Sequence, residues 1–173
     1  MHSEDIERGE LNELFSATYD ELRRLAATIR YGDPSATINP TALVNEAWLK
    51  LANSPHLATA SRIHFKRIAA RAMRQVLVDA ARRRNANKRG EGAAMITLDE
   101  TRAGVTCSEE LLGLDSALDE LARIKPRLAM MVESRFFGGL EIAEIAELLD
   151  VSEATILRDW RAAKAWLAHS LRQ

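Results

Sequence analysis

Apolar residues recur at three- and four-residue spacing along nearly the whole chain, the period of a helix face rather than the two-residue alternation of a strand. In "LNELFSATYDELRRLAATI" the stripe is Leu11, Leu14, Phe15, Tyr19, Leu22, Leu25, Ala26 and Ile29. The stretch "YGDPSATINP" interrupts it. Pro40 then suits the first turn of a second helix, where a missing N–H costs nothing, and Leu43, Val44, Ala47, Trp48 and Leu51 form its inner stripe. "NSPHLATAS" reads as the next loop. From about Arg62 to Arg84 no Gly or Pro intervenes, and Phe65, Ile68, Ala69, Ala72, Met73, Val76, Leu77 and Ala80 supply one continuous apolar face. That predicts a single long helix or two nearly collinear ones. Phe65, just after the loop, has two readings: a core residue, or an aromatic that stacks on an unpaired base.

Residues 90–110 hold three of the eight glycines and little apolar periodicity, which predicts a flexible linker between two helical domains. Beyond it, "LLGLDSALDELARI", "PRLAMMVESRFF", "EIAEIAELLD" and "SEATILRDWRAAKAWLAHSL" give four more helices, punctuated by Pro126, Gly138 and Gly139. No segment sustains strand alternation. The predicted class is all-α, in two small domains.

Composition adds little until charge is counted by segment. A chain of 173 residues, 47% apolar and 28% charged, is ordinary for a globular protein. No apolar run approaches the roughly 20 residues that span a bilayer, and "MHSEDIERGEL" does not resemble a signal peptide, so a cytoplasmic location without membrane association is expected. The single Cys107 excludes an internal disulfide, and His2, His56, His64 and His169 lack metal-site spacing, so neither zinc nor another cofactor is expected. The net charge of −1 conceals residues 62–90, which carry 10 basic and 1 acidic side chains, a local excess of +9 between acidic neighbours. A solvated helix face mixes signs to form supporting pairs. Here Arg67, Arg71, Arg74, Arg82, Arg83, Arg84, Lys88 and Arg89 stand almost without acids, the pattern of a surface that tracks phosphates. Asp79, the one acid, is expected to pair with a nearby Arg.

The tail carries a second candidate. In "LEIAEIAELLDVSEATILRDW", Ile142, Ile145, Ala146 and Leu149 form the inner face of a short helix, Val151 plugs a tight turn, and Ser152 sits where an N-cap belongs. Ile156, Trp160, Ala163 and Leu167 then face inward, leaving Thr155, Arg158 and Arg161 outward with Glu153 and Ala154 on the exposed first turn. Small, polar and Arg side chains on an exposed helix fit a DNA major groove, where Arg can fork onto guanine. An αα-hairpin that merely packs has the same spacing. The acids Glu141, Glu144 and Glu147 argue for weak DNA binding by this half alone.

Taken together, "PTALVNEAWLKLA", "AMRQVLVDAARRRNANKRG" and "IAEIAELLDVSEATILRDWRAAKAWL" resemble, in order and spacing, a bacterial RNA polymerase sigma factor of the two-domain extracytoplasmic-function class, a sigma-70-like family. The resemblance covers residues 8–89 (region two) and 111–171 (region four), joined by a linker at 90–110. It implies a non-enzymatic protein whose partners are core RNA polymerase and promoter DNA. The helix at 40–52 would bind polymerase through Leu43, Val44, Glu46 and Leu49, with Trp48 equally suited to the core. Gln75, Arg82 and Arg83 match the minus-ten side, and Ser152, Thr155, Arg158 and Arg161 the minus-thirty-five reader. The linker would pass through polymerase toward the RNA exit path, its acids mimicking nucleic acid.

The chain departs from the family pattern where acids normally precede the Leu-Val of the polymerase helix; "NPTA" stands there instead. Phosphorylation of Thr41 would restore negative charge at a helix N-terminus that also favours an anion, making a Ser/Thr kinase a candidate regulator beside an anti-sigma factor. The plain alternative is that Thr41 is an ordinary helix-start residue. Gln75 replaces the family's frequent Asn, and Ile68 lies where Trp is common, so minus-ten base preferences do not transfer. A second functional reading is a helix-turn-helix transcription regulator with an N-terminal helical partner-binding domain. It explains residues 111–173 equally well but leaves the +9 segment without a role. A third is a structural protein whose basic helix binds an acidic partner. No carboxylate pair, nucleophile–base set or phosphate loop suggests an enzyme.

Overall fold

The computed structural model describes residues 3–30, 38–52, 61–90 and 108–172, and contains seven helices and no strand among them. In chain order they are α1 (Ser3–Arg30), α2 (Pro40–Ala52), α3 (Arg62–Gly90), α4 (Ser108–Ile124), α5 (Pro126–Gly138), α6 (Ile142–Leu149) and α7 (Glu153–Ser170). The all-α class is as expected, and α3 is one unbroken helix. Most of the expected linker, residues 91–107 with Cys107, lies outside the described residues, as do the loops 31–37 and 53–60.

Local chemistry sets the helix ends. Pro40 opens α2, and the Asn39 Oδ1 accepts from the Ala42 N–H at 2.8 Å, satisfying an amide that no preceding turn can reach. Ser61 does the same ahead of α3, its Oγ accepting from the His64 N–H at 3.3 Å. Pro126 sits in the first turn of α5, which ends where Gly139 turns left-handed at φ 65°. At α6, Glu141 and Glu144 form a reciprocal capping box, and Asp150 closes the helix in the left-handed region at φ 52°.

Two apolar cores lie on two flanks of α3. Phe65, Ala69, Met73 and Val76 face the first, with Leu22 of α1 and Leu43, Val44 and Leu51 of α2. Phe65 is fully buried there, which makes it a core residue. Phe15 stacks on Trp48 at 4.4 Å and 21° along the α1–α2 seam. The second core takes Ala70 and Ala81 of α3 together with Leu118, Leu121, Met131, Phe137, Ile145 and Ile156 from α4 to α7. A single apolar stripe on α3 was expected; the alanines supply a second, because a methyl side chain lets a facing backbone come close. The approach is tightest at the end of α5, where a Cβ on Gly138 would stand 2.9 Å from the Ala70 Cβ and 3.1 Å from the Lys66 carbonyl oxygen.

Charged side chains of α3 bind both halves. Lys66 is 1% exposed. Its Nζ donates to Glu21 Oε1 of α1 at 2.7 Å and to Glu144 of α6 at 3.1 and 3.2 Å. A buried ammonium is tolerable only when its partners accept its protons, and here two carboxylates do. Arg74, expected on the phosphate-facing surface, is instead turned into the α3–α4–α5 seam. It donates to Asp115 Oδ1 at 2.8 Å, to the Asp115 carbonyl at 2.9 Å, to Asp119 at 2.8 Å and to Glu133 at 2.7 Å. Among the described residues the Asp79 carboxylate pairs with Lys50 of α2 at 3.5 Å rather than with the expected Arg, and its backbone oxygen accepts from Arg83 Nε.

Burial by itself would raise the Glu21 carboxyl, but the bonds from Lys66 and Arg62 outweigh it and hold the group below the usual carboxylate range. A carboxylate depressed in the fold contributes stability above its unfolded pKa and loses it as pH falls through the folded value. In urea titrations, Glu21→Gln should therefore be less stable than the parent at pH 7. The gap should narrow as pH drops below about 4.3, the ordinary value for Glu, and close below the depressed one.

Candidate nucleic-acid interface

The α7 surface follows from one stripe of inward residues. Ile156 and Ala163 are fully buried, and Trp160 and Leu167 are half-buried against the second core, as the spacing predicts. The opposite face is then forced outward. Arg158 and Arg161 are exposed, Thr155 is half-buried, and Glu153 and Ala154 are exposed on the first turn. Ser152 is the N-cap: its Oγ accepts from the Thr155 N–H at 3.2 Å and lies 3.0 Å from the Thr155 hydroxyl. The four expected residues of α7 and its cap thus share one short, solvent-facing surface whose amide end favours anions.

Three features of this surface were not predicted. Asp159 falls within the inward stripe and is buried, held by Arg127 of α5 at 2.6 Å. The signal was present, since an acid at an inward position demands a cationic partner, but the partner is 32 residues away. Arg135 of α5 lies over the Trp160 ring at 5.6 Å and donates to the Leu140 carbonyl at 3.1 Å, tying α7 and the start of α6 to α5. Leu157 is 45% exposed, an apolar side chain on the outward face beside Arg158.

On α3, Gln75, Arg82 and Arg83 are all exposed, as is Arg71, while Arg67 is half-buried. Gln75 and Arg82 border a polar cleft of about 220 Å³, lined on α3 also by Arg71, Arg74 and Asp79 and opposite by Asp115, Asp119 and Glu133. Arg82 reaches Asp115 at 3.6 Å across it. The side chains of Lys88 and Arg89 lie outside the described residues. Arg84 is half-buried rather than on the outer track.

On α2, Leu43 and Val44 are buried in the first core, so they do not present a surface; Glu46 and Leu49 do, with Leu49 57% exposed. Thr41 is exposed in the first turn, which contains no acidic residue. The α7 set lies apart from the other two: its backbone does not approach that of α2 or α3, whereas α2 packs directly on α3. What the arrangement offers chemically is therefore two cationic helices at different places rather than one continuous groove.

A family model described as "ECF sigma factor" matches residues 4–173. No curated protein and no solved structure matches the chain.

The cap makes a direct prediction. Ser152→Ala should destabilise the protein by about 1 kcal/mol in chemical denaturation, whereas Ser152→Gly should cost only a few tenths, because glycine still leaves the amides open to water.

Proposed function

The chain belongs to the ECF sigma factor family, whose members act in transcription initiation, and from that membership we propose that it binds core RNA polymerase and directs it to specific promoters. The observation that carries this reading is the capped, outward face of α7 in a chain whose family match runs through both halves. A helix-turn-helix regulator with an N-terminal partner-binding domain would account for residues 111–173 equally well, but it gives the +9 segment of residues 62–90 no role. The family is not enzymatic; polymerase supplies the chemistry. No described helix is long and apolar enough to cross a membrane.

The labour divides by element. Residues 8–89 act as region two and residues 111–171 as region four. Glu46 and Leu49 on the open face of α2 meet the polymerase, while Leu43 and Val44 fix the angle of that face from the core beneath. Gln75, Arg82 and Arg83 approach the minus-ten element, where guanidinium groups bind phosphates and release counterions. Ser152 and Thr155 anchor the start of α7 at the minus-thirty-five element, with Arg158 and Arg161 directed at base edges. Leu157, beside them, offers apolar contact to a thymine methyl.

Adding the protein to core polymerase lacking any sigma should yield promoter-specific transcripts; if none initiates at any genomic site, the proposal fails. Within that system Arg158→Ala should relax preference at one promoter position at a cost of about 1–3 kcal/mol. Arg83→Ala should weaken binding across sequences alike and reduce the salt slope by about one.

Control by phosphorylation rests on α2. Its first turn lacks the acids common in the family, and Thr41 is exposed at its second position, where a phosphate would meet the positive end of the helix dipole. A Ser/Thr kinase would then switch polymerase binding, alone or together with an anti-sigma factor. Thr41→Glu should bind purified core polymerase more tightly than Thr41→Ala, and equal affinities would end the idea.

A further inference from the structure

We propose that the corner joining α4 to α5 is a second DNA-binding surface of the C-terminal half, in which Arg127 bridges α7 to the phosphates of one strand. This rests on the reading of α7 as the minus-thirty-five helix and adds a partner surface beside it. Arg123, Lys125 and Arg127 fall within five residues that include no acid, and all three are exposed. Among the described residues, neither Arg123 nor Lys125 meets a carboxylate. The acids of α6 do not cancel this cationic corner, because they are engaged elsewhere. Glu144 accepts from Lys66, and Glu141 lies 3.6 Å from Arg135.

Asp159 ties the corner to α7. Its side chain is 12% exposed against 47% for Arg127, and one contact of 2.6 Å from Nη2 joins them. A guanidinium carries five N–H donors in one rigid plane. The bond to Asp159 therefore orients that plane and still leaves the Nε and Nη1 donors for a second acceptor. A phosphate takes paired N–H donors as a carboxylate does, with the added strength of opposite charge. The unequal exposure of the pair fits this use: the carboxylate is the fixed root, and the guanidinium is the part that solvent, or a strand of DNA, can reach.

Helical spacing puts the bridge beside the reading face. Asp159 stands four residues after Thr155, so Arg127 meets α7 on the flank that carries Thr155, the half-buried residue bonded to the Ser152 cap. Ala162, three residues beyond Asp159, is exposed and small, which keeps that flank open. Arg135 grips the other flank through the Trp160 ring, but its donors are already engaged by the Leu140 carbonyl and Glu141. A helix in a major groove about 12 Å wide has a sugar–phosphate strand along each side. The strand on the Thr155 side then runs past Arg127.

The test uses holoenzyme assembled from the full chain and core polymerase, on a promoter from which it makes transcripts. Single phosphates of the minus-thirty-five element are replaced in turn, on each strand, by uncharged methylphosphonates. The parent should lose binding severalfold at one or two linkages of a single strand that Arg127→Leu/Asp159→Leu no longer senses. On unmodified DNA that variant should bind severalfold more weakly than the parent, with a salt slope lower by about one. Replacing both partners by apolar residues removes the buried acid together with its cation, the change that such pairs tolerate best. If it still fails to fold, Arg127→Asp/Asp159→Arg keeps the pair and puts the carboxylate at the exposed position. Its binding should improve when the same linkage is neutralised. Arg123→Gln/Lys125→Gln should lower the slope by about two and leave the Arg127-dependent linkage sensitive. A folded Arg127 and Asp159 variant of either kind that keeps the parent's pattern of sensitive linkages overturns the bridge, and an unchanged slope for Arg123→Gln/Lys125→Gln overturns the wider corner. In both cases transcription by the parent keeps the sigma reading intact. Absence of transcripts from the parent overturns that reading, and the bridge with it.

Discussion

A single ammonium group with almost no access to water sets the terms for the rest of the molecule. Burial of the Lys66 ammonium is offset by Glu21 and Glu144, which accept its protons and come from helices in opposite halves of the chain. Those contacts fix α1 and α6 relative to α3. Apolar residues flank α3 on two sides: Phe65, Ala69 and Met73 join the core with α1 and α2, while Ala70 and Ala81 join the one with α4 to α7. One helix thus serves as the partition between two cores, and each core in turn aims a different external surface.

The precision of the α7 surface comes from behind it. Its outward residues make few contacts of their own, so their positions depend on what grips the inward face. Arg127 fastens Asp159, Arg135 covers Trp160 and holds the Leu140 carbonyl, and the Ser152 cap starts the helix at a defined residue. Every one of these supports except the cap originates on α5. That helix also supplies Glu133 to Arg74 and the Gly138 seat on Ala70. Movement of α5 relative to α3 would carry the α7 surface along with it as a body.

Much of the architecture could be read from the chain because its causes are local. Pro40, Pro126, Gly139 and Ser152 mark helix ends through their own backbone chemistry, and the three-four stripe of α7 places Arg158 and Arg161 outward without reference to any other element. The family resemblance was equally accessible, since it lay in motif order. The charge excess of residues 62–90 was read correctly as a total but not residue by residue. Lys66 and Arg74 look in sequence like Arg71 and Arg83, yet two are drawn inward and two face water. The difference is decided by carboxylates 41 to 78 residues away, which no local pattern identifies. Leu43 and Val44 failed in the opposite direction: a motif suggested contact with another protein, whereas an amphipathic helix must first satisfy its own core. Asp159 was the one long-range feature that periodicity could have exposed.

The two cationic helices are unequal in their freedom to vary. On α3, substitutions along either flank disturb a core, and those at Lys66 or Arg74 strand acids on neighbouring helices, so only a thin ribbon through Arg71, Gln75, Arg82 and Arg83 can drift. The outer face of α7 has no such obligations, for Ala154, Leu157, Arg158 and Arg161 support nothing beneath them. Substitutions on the outer face of α7 would therefore disturb the packing less than substitutions along α3.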